Sequence, residues 1–198
     1  MTAAETIEAR RAYLRGLAWD GTMRVRDFAR VVLRSPSNRA RDYAAGFLLD
    51  AVARAFVPGC KVGPVLTLCG PQGTGKSHAL RVLAGDGYAD VTARYLLRPP
   101  GAWVIEAQDI ETMGDAARKG FLLATEDTHR PPLARTTTRE PRAYVIAVTT
   151  NDAAWTRGSR RIAVVPITEP INVALLTTWR DQLWAEAVHL HRLSGGAT

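Results

Sequence analysis

Gly70-Pro71-Gln72-Gly73-Thr74-Gly75-Lys76-Ser77 is the stretch on which the reading of this chain turns. It fits G-x-x-x-x-G-K-[ST], the pattern of a phosphate-binding loop. Before it runs Val65-Leu66-Thr67-Leu68-Cys69, short, apolar and β-leaning; after it, Ser77 to Leu83 reads as the first turns of a helix. That strand–loop–helix context gives the pattern physical meaning. Glycines let the backbone curl so that successive N–H groups point at phosphate oxygens, and the helix N-terminus adds its positive dipole end. Lys76 would reach the β- and γ-phosphates, and the Ser77 hydroxyl would ligate Mg²⁺. The candidate nucleotide-binding residues are therefore Gly70, Pro71, Gln72, Gly73, Thr74, Gly75, Lys76, Ser77 and His78, with ATP and Mg²⁺ as the expected cofactors. The bland alternative is a glycine-rich turn with no ligand, and the matching flanks on both sides argue against it.

The chain has 198 residues, 46% hydrophobic and 23% charged. That suits one compact α/β domain with a helical attachment. The expected division is a helical subdomain over 1–60, the core over 61–193 and a loose tail over 194–198. Twenty-six Lys and Arg against nineteen Asp and Glu leave a net charge of +7. Lysine occurs only as Lys61, Lys76 and Lys119, so arginine carries the excess. Such a balance favours an acidic partner, most simply nucleic acid, although arginine-rich usage also follows genome composition. Cys60 and Cys69 cannot make a metal site by themselves and read as reduced thiols. Met1 to Arg15 lacks a signal-peptide apolar core, and no stretch approaches a membrane span. The expectation is a soluble, cytoplasmic protein with no membrane partner.

Taken in order, residues 4–17 read as a modest amphipathic helix, Trp19-Asp20-Gly21 as a turn and Asp27 to Leu33 as a second short helix. Ser37 or Asn38 can cap a long helix to Phe56, with Tyr43, Phe47, Leu48, Val52 and Phe56 on one stripe. Tyr88 to Ala93 reads as a strand. Ala102-Trp103-Val104-Ile105-Glu106 is an apolar run ending in an acid, the form expected of a buried parallel strand that delivers a carboxylate at its tip. There Glu106 would hold Mg²⁺ through water or polarise the attacking water, and Asp109 would share that work; the alternatives are a solvated strand-end acid and a helix cap. Residues 109–125 read as one helix with Ile110, Met113, Ala117, Phe121 and Leu122 inward. Residues 126–142 read as an exposed Arg- and Pro-rich loop carrying Arg130, Arg135, Arg139 and Arg142. Such a loop could track a nucleic-acid backbone or reach a neighbour's γ-phosphate; for Arg139 and Arg142 simple solvation is the better reading. Ala143 to Thr150 is a strand delivering Asn151, whose amide would orient the hydrolytic water. Arg160 and Arg161 open the strand Ile162 to Ile167, placed for phosphate contact in cis or across a subunit interface. Asn172 to Leu193 reads as a helix whose Trp179 and Trp184 belong to the core.

With those motifs in that order, the chain resembles the virulence-associated protein E family: ATPases of phages and mobile elements, related to superfamily 3 helicases within the AAA+ class. Trp19-Asp20-Gly21, Ala51-Val52-Ala53-Arg54, Pro58-Gly59-Cys60-Lys61, Trp103-Val104-Ile105-Glu106, Arg130-Pro131-Pro132 with Arg135, Thr149-Thr150-Asn151, Arg160-Arg161 and Trp184-Ala185-Glu186-Ala187 match the family's pattern in sequence order. Leu133 stands where the family has an aromatic residue, and Asp109 where it often has Glu. The resemblance implies an α/β P-loop NTPase fold with a mostly parallel central sheet flanked by helices. It assigns Lys76 and Ser77 to phosphates and Mg²⁺, Glu106 to the acidic strand and Asn151 to a polar sensor, and it makes one of Arg130, Arg135, Arg160 or Arg161 an arginine finger. The function implied is an ATP-driven motor in a homo-oligomeric ring, such as a hexamer, on single-stranded or forked DNA beside other replication proteins. A non-translocating ATP-dependent assembly switch and a small phosphotransferase are the competing readings.

Overall fold

The computed structural model describes residues 3–92, 101–129 and 138–198. Its centre is a five-stranded sheet, ordered β2-β3-β6-β1-β7, in which every neighbouring pair is parallel. The strands are β1 (Val65–Cys69), β2 (Tyr88–Thr92), β3 (Val104–Gln108), β6 (Val145–Thr150) and β7 (Ile162–Pro166). Between β3 and β6 the chain makes a separate antiparallel pair, β4 (Glu126–His129) with β5 (Thr138–Pro141). The helices are α1 (Ala3–Gly16), α2 (Asn38–Phe56), α3 (Lys76–Ala84), α4 (Asp115–Leu123) and α5 (Val173–Leu193).

Strands buried on both faces carry apolar residues at consecutive positions, and here alternate residues serve opposite layers. Leu66, Leu68, Val104, Val145, Ala147 and Val165 face a core shared with α1, α2, α3 and α5. Val65, Val91, Ile105, Ala107, Ile146 and Val148 face a smaller core closed by Ile110 and Leu122. The larger core runs from Leu14 and Leu48 along one face of the sheet to Trp184, drawing on residues from both sides of position 60. Two indoles pin it. Trp184, with no exposed surface, donates its Nε1–H to the Leu83 carbonyl, and Trp103 donates to that of Ala51. Their ring centroids lie 4.2 Å apart. Glu186, 2% exposed, accepts the backbone N–H groups of Arg24 and Val25 and so docks the segment after α1 onto α5. Among the described residues no helix is long and apolar enough to cross a membrane.

Four local expectations change. The short second helix exists, but as a π-helical turn over Phe28–Val32. The single helix expected over 109–125 is broken: a 3₁₀ turn covers Ile110–Thr112, Met113 and Gly114 are extended, and α4 starts at Asp115. Ala117 consequently faces solvent, while Ile110 and Leu122 are buried. The supposed loop over 126–142 carries the paired strands β4 and β5. Arg142 is not solvated: it is 3% exposed, donates from Nε to Asp127 at 2.9 Å and from a terminal nitrogen to the Phe121 carbonyl at 2.6 Å. The Tyr144 hydroxyl donates to the same Asp127 carboxylate at 2.8 Å. A buried guanidinium deprived of its carboxylate is an uncompensated charge, which typically costs about 3–5 kcal/mol. Asp127→Ala should therefore lower the unfolding free energy by about that amount in chemical denaturation. Arg139→Ala, on the exposed strand β5, should stay within about 0.5 kcal/mol.

Candidate active site

The site grows from the point where β1 stops. Gly70 donates its N–H to the Thr150 carbonyl of β6 at 3.1 Å and passes against β7 so closely that a Cβ there would lie 2.1 Å from the Ile167 carbonyl oxygen. Only glycine fits that approach. Gly73 and Gly75 follow with φ of 82° and 86°, the left-handed region that glycine adopts without penalty. Thr74 braces the loop by donating its hydroxyl to the Pro71 carbonyl at 2.9 Å. The backbone then enters α3 at Lys76, so the unpaired N–H groups of that helix end face a cleft. The cleft, of about 560 Å³, is lined by Gln72, Gly73, Gly75, Lys76, Ser77 and His78, by Gln108, Asp109 and Glu111 beyond β3, and by Thr149, Thr150 and Asn151 at the end of β6. It opens at the carboxyl edge of the parallel sheet, where open α/β folds place ligands.

Lys76 is 8% exposed, and its ammonium donates to the carbonyls of Gly70 at 2.7 Å and Pro71 at 2.8 Å, with Asn151 Oδ1 at 3.4 Å. Burial pulls its pKa below the usual lysine value, partly opposed by Cys69 and Glu106. Beneath it lies Glu106, with no exposed surface. Glu106 is not the emerging strand-end acid expected from the sequence: β3 continues to Gln108, and the carboxylate points from mid-strand toward α3. One carboxylate oxygen, Oε1, accepts from Ser77 Oγ at 2.6 Å and Thr149 Oγ1 at 2.5 Å; the other, Oε2, accepts from the Tyr88 hydroxyl at 2.5 Å. Among the described residues no Lys or Arg forms an ion pair with it. Asp109 is exposed at the rim with φ of 54°, left-handed backbone that a non-glycine residue enters only under constraint. It precedes the 3₁₀ turn, but its side chain makes no capping bond.

The structure thus gathers the loop from Gly70 to His78 with Glu106, Asp109 and Asn151 about one cleft. The paired arginines go elsewhere. Val65 at the start of β1 stands beside Ile162 at the start of β7, so Arg160 and Arg161 sit at the amino edge of the sheet. A five-residue strand spans about 16 Å, which removes the expected contact in cis. Arg161 instead lines a second pocket with Arg118, Lys119, Arg157 and Trp155. Arg130 and Arg135 lie outside the described residues. Sequence reasoning missed Tyr88, Gln108 and Glu111, and gave Thr149 no role. Thr149 had a signal: it is the penultimate residue of the strand that delivers Asn151, close to the carboxyl edge where the cleft opens.

The fold and cleft together define a three-layer α/β domain with a glycine-loop pocket at the carboxyl edge of a parallel sheet. A family model described as "Virulence-associated protein E-like domain" matches residues 14–196, and the chain belongs to that family. No curated protein matches it. Among solved structures, two apo structures of the NrS-1 C-terminal region are similar in fold. Both are 10% identical, with TM-scores of 0.58 and 0.60, and the match covers 87% of this chain and 46% of theirs. The chain therefore spans less than half the length of those structures.

Gly70→Ala should force the loop away from β7 and destabilise the fold by about 1–3 kcal/mol, the usual range for overpacking a tight site. Gly120→Ala in α4, where a Cβ meets nothing within 4 Å, should be neutral or stabilising by up to about 1 kcal/mol. Thermal unfolding of the two variants checks the contrast.

Proposed function

We propose that this domain binds and hydrolyses Mg-ATP at the glycine-loop cleft. The observation that carries the reading is the bond from Ser77, first residue after Lys76 on α3, to the buried Glu106 carboxylate. The Ser77 proton is committed to Glu106, so the lone pairs of its oxygen remain for a cation. The oxygen groups there, the Ser77 hydroxyl with the Glu106 carboxylate behind it and Asp109 and Glu111 at the rim, suit a hard divalent ion such as Mg²⁺. When bound, the metal would neutralise charge on the β- and γ-phosphate oxygens.

The protein's own groups divide the remaining work. The loop N–H groups and the α3 N-terminus bind phosphate oxygens. Lys76 exchanges the Gly70 and Pro71 carbonyls for the phosphates, bringing a charge already partly desolvated. Asn151, within reach of Lys76, orients the attacking water with its amide. Asp109, held at the rim in a strained backbone, accepts the proton that this water releases, a part given to a positioned carboxylate in general base catalysis.

The same reading extends to assembly and partner. Arg160 and Arg161, at the amino edge of the sheet, would meet a nucleotide only on a neighbouring subunit, which favours a homo-oligomeric ring. The charge of +7 and membership of the virulence-associated protein E-like family support a motor on single-stranded or forked DNA in replication of a phage or mobile element. Lys76→Ala should reduce ATP turnover at least 10²-fold, the usual effect of removing one charge-stabilising group. Wild-type turnover should rise when single-stranded DNA is added. Near-normal turnover in the variant would overturn the site. Unstimulated turnover accompanied by nucleotide-dependent oligomers would favour the assembly switch.

A further inference from the structure

Glu106 is bracketed by two diagonals across the sheet. On β2, Tyr88 stands opposite Val104 and Asp90 opposite Glu106, so the Tyr88 side chain reaches two positions forward along β3. On β6, Ala147 stands opposite Glu106, so Thr149 reaches back from two positions beyond. Alternate residues along a strand share one face of the sheet, and both hydroxyls close on the carboxylate. The two oxygens are held unequally. Oε1 receives Ser77 and Thr149, whereas Oε2 receives Tyr88 alone among the described residues. Removal of Thr149 would leave Oε1 with Ser77; removal of the phenol would leave Oε2 with nothing and free the carboxylate to turn. The Tyr88 ring is itself fixed, packed against the larger core and lying under the Arg81 guanidinium 5.0 Å from its centroid.

We infer that Tyr88 is a positioning residue for the cation site: its hydroxyl fixes the rotation of the Glu106 carboxylate, and so the direction in which the Ser77 hydroxyl, held by that carboxylate, presents its oxygen to a divalent ion. This rests on the nucleotide reading above, but its test is separable from hydrolysis. Tyr88→Phe keeps the ring, its packing and the contact with Arg81, and removes only the donor. The measurement is Mn²⁺ affinity of the protein carrying a non-hydrolysable ATP analogue, followed by loss of the free-Mn²⁺ electron paramagnetic resonance signal, with protein in excess so that all analogue is bound. Groups that orient a metal ligand typically contribute 10–100-fold to metal affinity. The expected result is about 10-fold weaker Mn²⁺ binding in Tyr88→Phe, with unchanged affinity for the analogue without metal. In a Glu106→Gln background the same substitution should have no further effect, because a residue that acts only through another shows full coupling in a double-mutant cycle. Equal Mn²⁺ affinity in wild type and Tyr88→Phe overturns the inference and leaves the nucleotide site standing. A loss that persists undiminished in the Glu106→Gln background also overturns it, since Tyr88 would then act through packing. A wild-type chain that binds neither analogue nor Mn²⁺ overturns the nucleotide reading and this inference with it.

Discussion

A carboxylate with no solvent exposure sits in the middle of the sheet, held by three hydroxyls and by no described cation. Isolated buried charge is expensive, and folded proteins keep it only where hydrogen bonds replace the lost water. Three donors, one from α3 and one from each flanking strand, do that for Glu106. The arrangement links the glycine loop to the sheet centre, because Ser77 is both a donor to Glu106 and the second residue of α3. It also places that negative charge beneath a helix N-terminus and the Lys76 ammonium.

The parallel sheet separates the chemistry from the arginines. Loop, acid strand and Asn151 share the carboxyl edge; Arg157, Arg160 and Arg161 share the amino edge, beside the pocket containing Trp155 and Arg118. Five parallel strands in the order β2-β3-β6-β1-β7 make this polarity unavoidable. Contact between the two groups therefore requires two copies of the chain. The N-terminal helices contribute less to that geometry than to the core: α1 and α2 cover the sheet face that α5 shares, and Trp103 and Trp184 meet between them.

Much of this was legible in the sequence. Continuous apolar runs marked β1, β3 and β6, and the starts of α2 after Ser37 and of α5 near Asn172 fell where expected; Ser37 makes no side-chain cap bond, whereas Asn172 does, a role the sequence had not suggested. Asn151 and the loop converged as their strand-end positions implied. Most of the failures depended on which strand lies beside which, and one on local backbone conformation. Glu106 ends the apolar run, but Ala107 belongs to the opposite face and Gln108 still pairs with Thr92, so the strand continues past it. Arg142 looks solvated until Asp127, fifteen positions earlier, comes back beside it across the paired strands. Ile110, Met113, Ala117 and Phe121 have helical spacing, yet left-handed Asp109 and extended Gly114 interrupt the backbone. Tyr88 carried no local signal, since its partner is fixed only by the β2–β3 register.

The central claim is that the Gly70–Ser77 loop and the Glu106 carboxylate form one metal–nucleotide site. A crystal structure with Mg²⁺ and a non-hydrolysable ATP analogue tests it most directly. The account predicts the triphosphate wrapped by the loop, the Lys76 ammonium on its terminal phosphates, and the metal against the Ser77 hydroxyl with Glu106 behind it. An analogue bound away from the loop, or a metal with neither Ser77 nor Glu106 near it, would contradict the account.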